Sequence, residues 1–158
     1  MSTYSADEIF QFAIRIEENG RKFYLEMAEK FKSNEKIHAL FQELSKQEVE
    51  HAIAFETILK SFQDYFSSGS YPEEYFTYLR AYANNSIFSE EILKEEKAKI
   101  SDLKSAFDFA IRRELESISY YNELKNLVSP EDKDKIEQII EEERKHFLRL
   151  NKQKQELV

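Results

Sequence analysis

Four stretches of the chain carry apolar side chains at intervals of three and four residues, the spacing of one face of an α-helix. The first runs through Phe10, Ala13, Glu17, Gly20, Tyr24, Met27 and Phe31. The second runs through Ile37, Phe41, Leu44, Glu48, His51, Phe55, Ile58 and Phe62. Leu103, Phe107, Ala110, Glu114, Ser117, Tyr121, Leu124 and Val128 form the third. Ile136, Ile139, Glu143, His146 and Leu150 form the fourth. Each apolar seam is broken near its middle by a glutamate, and two of the four place a histidine three residues after it.

The breaks between these patterns have local causes. "KSNEK" at 32–36 offers Ser33 or Asn34 as an N-cap, so the first two helices are expected to be antiparallel neighbours. "SPED" at 129–132 combines a capping Ser129, Pro130 at the first helical position and acids in the first turn, which predicts a second antiparallel pair. Residues 67–101, including "SSGSYPEEYF", are expected to form a long crossover holding one or two short helices that start near Pro72 and Ser89. Its many Phe and Tyr residues read as core or subunit contact rather than a cofactor site. The expected fold is all-α: a four-helix bundle of two antiparallel helical hairpins joined by this crossover.

Length and composition narrow the function classes. A chain of 158 residues suits one domain, expected to span 1–158. Two Gly and two Pro in the whole chain leave no material for a turn-rich β fold or a glycine-rich phosphate loop. A formal charge of −8 argues against a nucleic-acid surface. The absence of cysteine excludes disulfides, Cys-ligated zinc and iron–sulfur clusters. "MSTYSADEIF" has no apolar signal-peptide core, and no apolar run reaches the roughly 18 residues of a membrane span. A cytoplasmic location is expected, with no membrane and no nucleic-acid partner.

The two halves repeat. "AIRIEENGRKFY" (13–24) aligns with "AIRRELESISYY" (110–121), matching Glu17 to Glu114, Gly20 to Ser117 and Tyr24 to Tyr121. "EVEH" aligns with "ERKH", matching Glu48 to Glu143 and His51 to His146. The remaining histidine, His38, aligns with a lysine and lies ~140° around the helix from His51. It is therefore set aside as a solvent-facing or capping residue. Four carboxylates in one seam layer cannot be buried without protonation, a basic partner or metal ions. The aligned seam positions offer no Arg or Lys. Two divalent cations would balance four carboxylates, with two imidazoles completing an oxygen-rich donor set suited to iron or manganese. Positions i and i+3 share a helix face, so each Glu-x-x-His can serve one ion. One Glu from each of two helices and one Glu-x-x-His from each of the other two is the donor pattern of di-iron carboxylate bundles.

On these motifs, in this order around a crossover, the chain resembles the ferritin-like di-iron carboxylate proteins and, among them, the rubrerythrin family. The resemblance implies two iron ions per chain, with manganese as an alternative, held by Glu17, Glu48, His51, Glu114, Glu143 and His146. It also implies a role beside the metals for Tyr24, with Tyr121 as its repeat counterpart; both are expected to serve catalysis, as proton sources or by redox chemistry, and core filling is an equal reading. Gly20 is expected either to leave room above the metals or to permit close helix contact. Two features depart from the family pattern. These 158 residues hold no cysteine, so no rubredoxin-like domain is expected, and Ser117 stands where rubrerythrins place an additional glutamate.

The implied activity is that of a non-haem di-iron oxidoreductase, a peroxidase acting in oxidative-stress defence. Two irons would reduce hydrogen peroxide, or alternatively dioxygen, and an external donor such as a rubredoxin-type protein would restore them. Ferroxidase or iron-storage activity is the alternative. Against it stand Val49, where bacterioferritins place a haem-binding Met, and an expected end at Val158 without a fifth helix. A metal-free structural bundle is the third reading. The aromatic crossover and the resemblance together imply a homodimer.

Overall fold

The computed structural model describes residues 7–66, 73–86 and 90–157. These form six α-helices and a single 3₁₀ turn, with no strand among the described residues. The four long helices are α1 (Asp7–Lys30), α2 (Glu35–Phe66), α5 (Leu103–Leu124) and α6 (Pro130–Gln155); α3 (Glu73–Ser86) and α4 (Glu90–Ala98) lie in the crossover. The hairpin–crossover–hairpin plan expected from periodicity is the one observed. Pro72 and Ser89, the expected starts of the crossover helices, lie outside the described residues, and α3 and α4 begin immediately after them.

Capping chemistry sets the ends. Asn34, not Ser33, caps α2: its Oδ1 accepts from the Ile37 amide at 3.2 Å. Ser129 caps α6 by accepting from the Asp132 amide, with Pro130 at the first helical position where a missing N–H is harmless. Asp102 and Ser105 form a reciprocal capping box at the start of α5. His38 donates from Nδ1 to Ala28 O at 2.6 Å, satisfying a carbonyl in the last turn of α1. That is a capping role across the α1–α2 turn, away from the central layer.

α1 packs chiefly on α2 and α5 on α6, and contacts between α1 and α5 and between α2 and α6 close the bundle. The core splits into two apolar halves. Phe10, Ile14, Phe55, Phe62, Tyr120, Ile136 and Ile140 belong to one. Phe23, Met27, Phe41, Leu44, Phe107, Phe109 and Leu150 belong to the other. Every long helix runs from one half to the other, so the glutamates at its midpoint fall into a polar layer sealed on both sides. The described residues of the crossover contribute to the core. Leu79 and Ala83 of α3 are fully buried in the first half, and Tyr75 donates to Glu123 O at 3.0 Å, tying α3 to α5. Burying a leucine of this kind is worth about 1.5–3 kcal/mol relative to leaving it exposed.

Candidate metal centre

Glu17, Glu48, His51, Glu114, Glu143 and His146 all lie in the polar layer, each 3% exposed or less. Their donor atoms fall into two groups. Glu48, Glu114, Glu143 and His146 form one, and Glu17, His51 and Glu143 form the other. Within each group one donor atom per residue lies within 4.8 Å of every other. Glu143 belongs to both, so the groups overlap as two adjacent cation positions bridged by a carboxylate would.

The imidazoles share one orientation. His51 Nδ1 faces Glu143 Oε1 at 2.8 Å and Glu17 Oε2 at 3.5 Å. His146 Nδ1 faces Glu143 Oε2 at 3.4 Å, Glu114 Oε1 at 3.6 Å and Glu48 Oε1 at 3.8 Å. Each ring thus turns Nδ1 into the layer and Nε2 outward. Glu17 Oε2, Glu143 Oε2 and His146 Nδ1 are buried and accept or donate no hydrogen bond. Buried polar atoms without partners are costly, about 1–3 kcal/mol each. Cations between the two groups would satisfy all three, and an oxygen-rich set with one imidazole per position fits iron or manganese.

Electrostatics tell the same story. Burial opposes a charged His51, but its hydrogen bond to Glu143 and the nearby Glu17 carboxylate outweigh that and push its pKa up to about 12. Burial likewise opposes a charged His146, and Glu114 and Glu143 push it up to about 10. Burial, followed by the charges of Glu17 and Glu143, raises Glu48 well above the usual carboxylate range. Burial and the neighbouring charges thus favour protons on both imidazoles and on Glu48 when metal does not occupy the layer.

The tyrosines singled out by the repeat cross over symmetrically. Tyr24 of α1 donates to Glu114 Oε1 of α5, while Tyr121 of α5 donates to Glu17 Oε1 of α1 at 2.5 Å. Burial raises both phenols well above their ordinary pKa, so both remain neutral donors. Each is fully buried and reaches the centre through the carboxylate it holds.

One participant was not visible as a periodic pattern. Arg113, half-buried, sends its guanidinium inward and donates to Ile16 O at 2.9 Å. The carboxylates of Glu48, Glu114 and Glu17 hold it charged against the effect of burial. The aligned seam positions hold no Arg or Lys, and the basic group reaches the carboxylates from beside the seam. Arg113 sits one residue off the seam and is aligned with Ile16, so the repeat hides it. A Cβ on Gly20 would collide with the Glu48 carboxylate, reaching its Cδ at 2.9 Å, and would meet the Arg113 guanidinium at 2.8 Å. Gly20 therefore makes room for those two side chains. Ser117 is buried and donates to Arg113 O at 2.8 Å, a bond within its own helix. Between α1 and α2 a cleft of about 210 Å³ has Glu17 and Glu48 in its wall, alongside Val49, Ala52 and Ile53, with Glu18, Arg21 and Glu56 also lining it.

Residues 8–154 match the rubrerythrin family. The chain belongs to that family. A crystal structure described as a ferritin-like diiron-carboxylate protein, from Thermotoga maritima, is similar to it at 31% identity with a TM-score of 0.69. The match covers 96% of this chain and 95% of that one, so the ferritin-like fold holds over nearly the whole length. No curated protein matches the sequence. Among the described residues no helix is long and apolar enough to cross a membrane.

Proposed function

We propose that the protein is a di-iron oxidoreductase that reduces hydrogen peroxide, taking electrons from an external donor. The observation that carries this reading is the pair of overlapping carboxylate–histidine groups that share Glu143 and leave three buried donor atoms without partners. Glu17, His51 and Glu143 would hold one iron, and Glu48, Glu114, Glu143 and His146 the other. Two ferrous ions there would supply the two electrons that convert hydrogen peroxide and two protons into two waters.

The chain's own residues supply position and access. Tyr24 and Tyr121 fix the Glu114 and Glu17 carboxylates by donating their phenolic hydrogen bonds to those oxygens. Arg113 limits the net negative charge when the layer is oxidised and reduced in turn. The cleft between α1 and α2 gives a molecule the size of peroxide a path to the Glu17 and Glu48 oxygens, while its small volume keeps larger substrates away. In the absence of cysteine, reducing equivalents must come from outside, as from a rubredoxin-type protein. A cytoplasmic homodimer is the assembly in which we place this activity.

The glutamates at the cleft, Glu18 and Glu56, favour a second reading, since they would also attract ferrous ions and so suit a ferroxidase. Anaerobic loading with Fe(II), followed by peroxide, separates the two. A peroxidase consumes one peroxide per two irons, keeps that iron, and turns over when reductant is added. A ferroxidase accumulates oxidised iron beyond the centre and assembles into a large shell. Glu114→Ala should abolish peroxide turnover; full turnover in that variant would refute the assignment. Melting unchanged by chelator would favour the metal-free bundle.

A further inference from the structure

The residue preceding each Glu-x-x-His reaches across to the other hairpin. Gln47, just before Glu48 on α2, accepts from His146 Nε2–H of α6 at 2.5 Å. Glu142, just before Glu143 on α6, takes the same role toward His51 Nε2–H of α2, also at 2.5 Å. The geometry is reciprocal but the chemistry is not: one imidazole is backed by a neutral amide and the other by a carboxylate. A hydrogen bond at one ring nitrogen fixes which nitrogen is free to bind metal, and a charged acceptor makes the ring a stronger donor.

We infer that Gln47 and Glu142 are positioning residues that hold His146 and His51 with Nδ1 toward the metals, and that Glu142 gives the His51-side metal a negative charge behind its ligand that the His146-side metal lacks. The two rings stack 5.6 Å apart, and a rotation of either would carry its Nδ1 away from the carboxylates it faces. Among the described residues no other group bonds either Nε2. The inner donors are themselves uneven, three carboxylates in the His146 group and two in the His51 group. The outer charge is therefore to be judged at each position by comparing variants, not by comparing the two positions.

The inference rests on the reading of this layer as a two-metal centre, and the test separates the two claims. The probe is Co(II), bound to ¹⁵N-histidine-labelled protein, with Fe(II) for potentials. Two metals per chain in the unaltered protein establish the centre. Two exchangeable, hyperfine-shifted imidazole N–H signals are then expected, one from each Nε2. Glu142→Ala should remove the slow exchange of the His51 signal alone, and Gln47→Ala that of the His146 signal alone, each with about 10–100-fold weaker metal binding. Glu142→Gln keeps an acceptor and removes the charge. It should retain both signals and raise one of the two iron midpoint potentials while leaving the other in place; Gln47→Glu should lower the opposite one. Two bound metals with slow exchange unchanged in both alanine variants would overturn the positioning roles. Potentials unmoved by the charge-changing variants would overturn the electrostatic part. No bound metal in the unaltered protein would overturn the two-metal reading and this inference with it.

Discussion

At the residue scale, Gly20 shows how the centre constrains a position that helix propensity would fill differently. Glycine inside a helix is less stable than alanine by about 1 kcal/mol. Here the missing Cβ is the space taken by the Glu48 carboxylate and the Arg113 guanidinium. Gly20→Ala should therefore forfeit that propensity gain to the shift it forces on Glu48 and Arg113, leaving the metal-free protein no more stable than before, while weakening metal binding at least ~10-fold, as loss of a supporting contact typically does. Calorimetric titration with Fe(II) under anaerobic conditions checks this; unchanged affinity would show that the Glu48 carboxylate can shift freely. The buried imidazoles set the pH response. Their folded pKa values, about 12 for His51 and about 10 for His146, lie above the ordinary 6.5. The stability they contribute is fully present below pH 6.5 and is lost as pH rises toward and through 10. Glu48, also raised, works in the same direction, favouring the folded state while it is protonated. Metal-free protein should thus melt at lower temperature at pH 10 than at pH 6.5, and metal binding should release protons and tighten with pH. Melting curves in the presence of chelator measure the first, and proton release into two buffers of different ionisation enthalpy the second. The six Glu and His side chains of the layer, with Tyr24 and Tyr121, stood out in the sequence because seam position and repeat both marked them. Arg113 did not, because periodicity locates a Cα and not the far end of a long side chain.

At the element scale, the four long helices and their caps follow from local chemistry that the sequence states openly. Asn34, Asp102 and Ser129 each stand where an amide needs an acceptor. The crossover was less legible. "YFTYLRAY" has apolar residues enough for either a core or a contact surface, and only the folded chain shows Leu79 and Ala83 entering the core beside α1 and α5. Leu79→Ala should cost about 2–5 kcal/mol of stability through the cavity it leaves. The folded fraction should still bind metal with unchanged stoichiometry, since α3 supplies no group to the polar layer. Denaturant titration beside metal analysis checks both halves of that statement; an undiminished stability would mean that α3 is not seated as observed. Pairing between hairpins was equally hidden. The crossings of Tyr24 to Glu114 and of Tyr121 to Glu17 depend on which helices face each other, which a repeat alone does not determine.

At the scale of the whole molecule, the bundle is two apolar cores with a charged layer between them. The layer is stable only if its carboxylates are neutralised, by protons and Arg113 in one state and by cations in the other. Metal binding should therefore raise the melting temperature, and more so as free metal increases. Because Glu143 is the one carboxylate common to both donor groups, the central claim is tested most directly by counting iron. Protein loaded anaerobically with Fe(II) and freed of excess should carry about two irons per chain, as di-iron bundles do. Glu143→Ala, folded by circular dichroism, should retain less than one. Two irons retained in that variant, or none in the unaltered chain, would contradict the account.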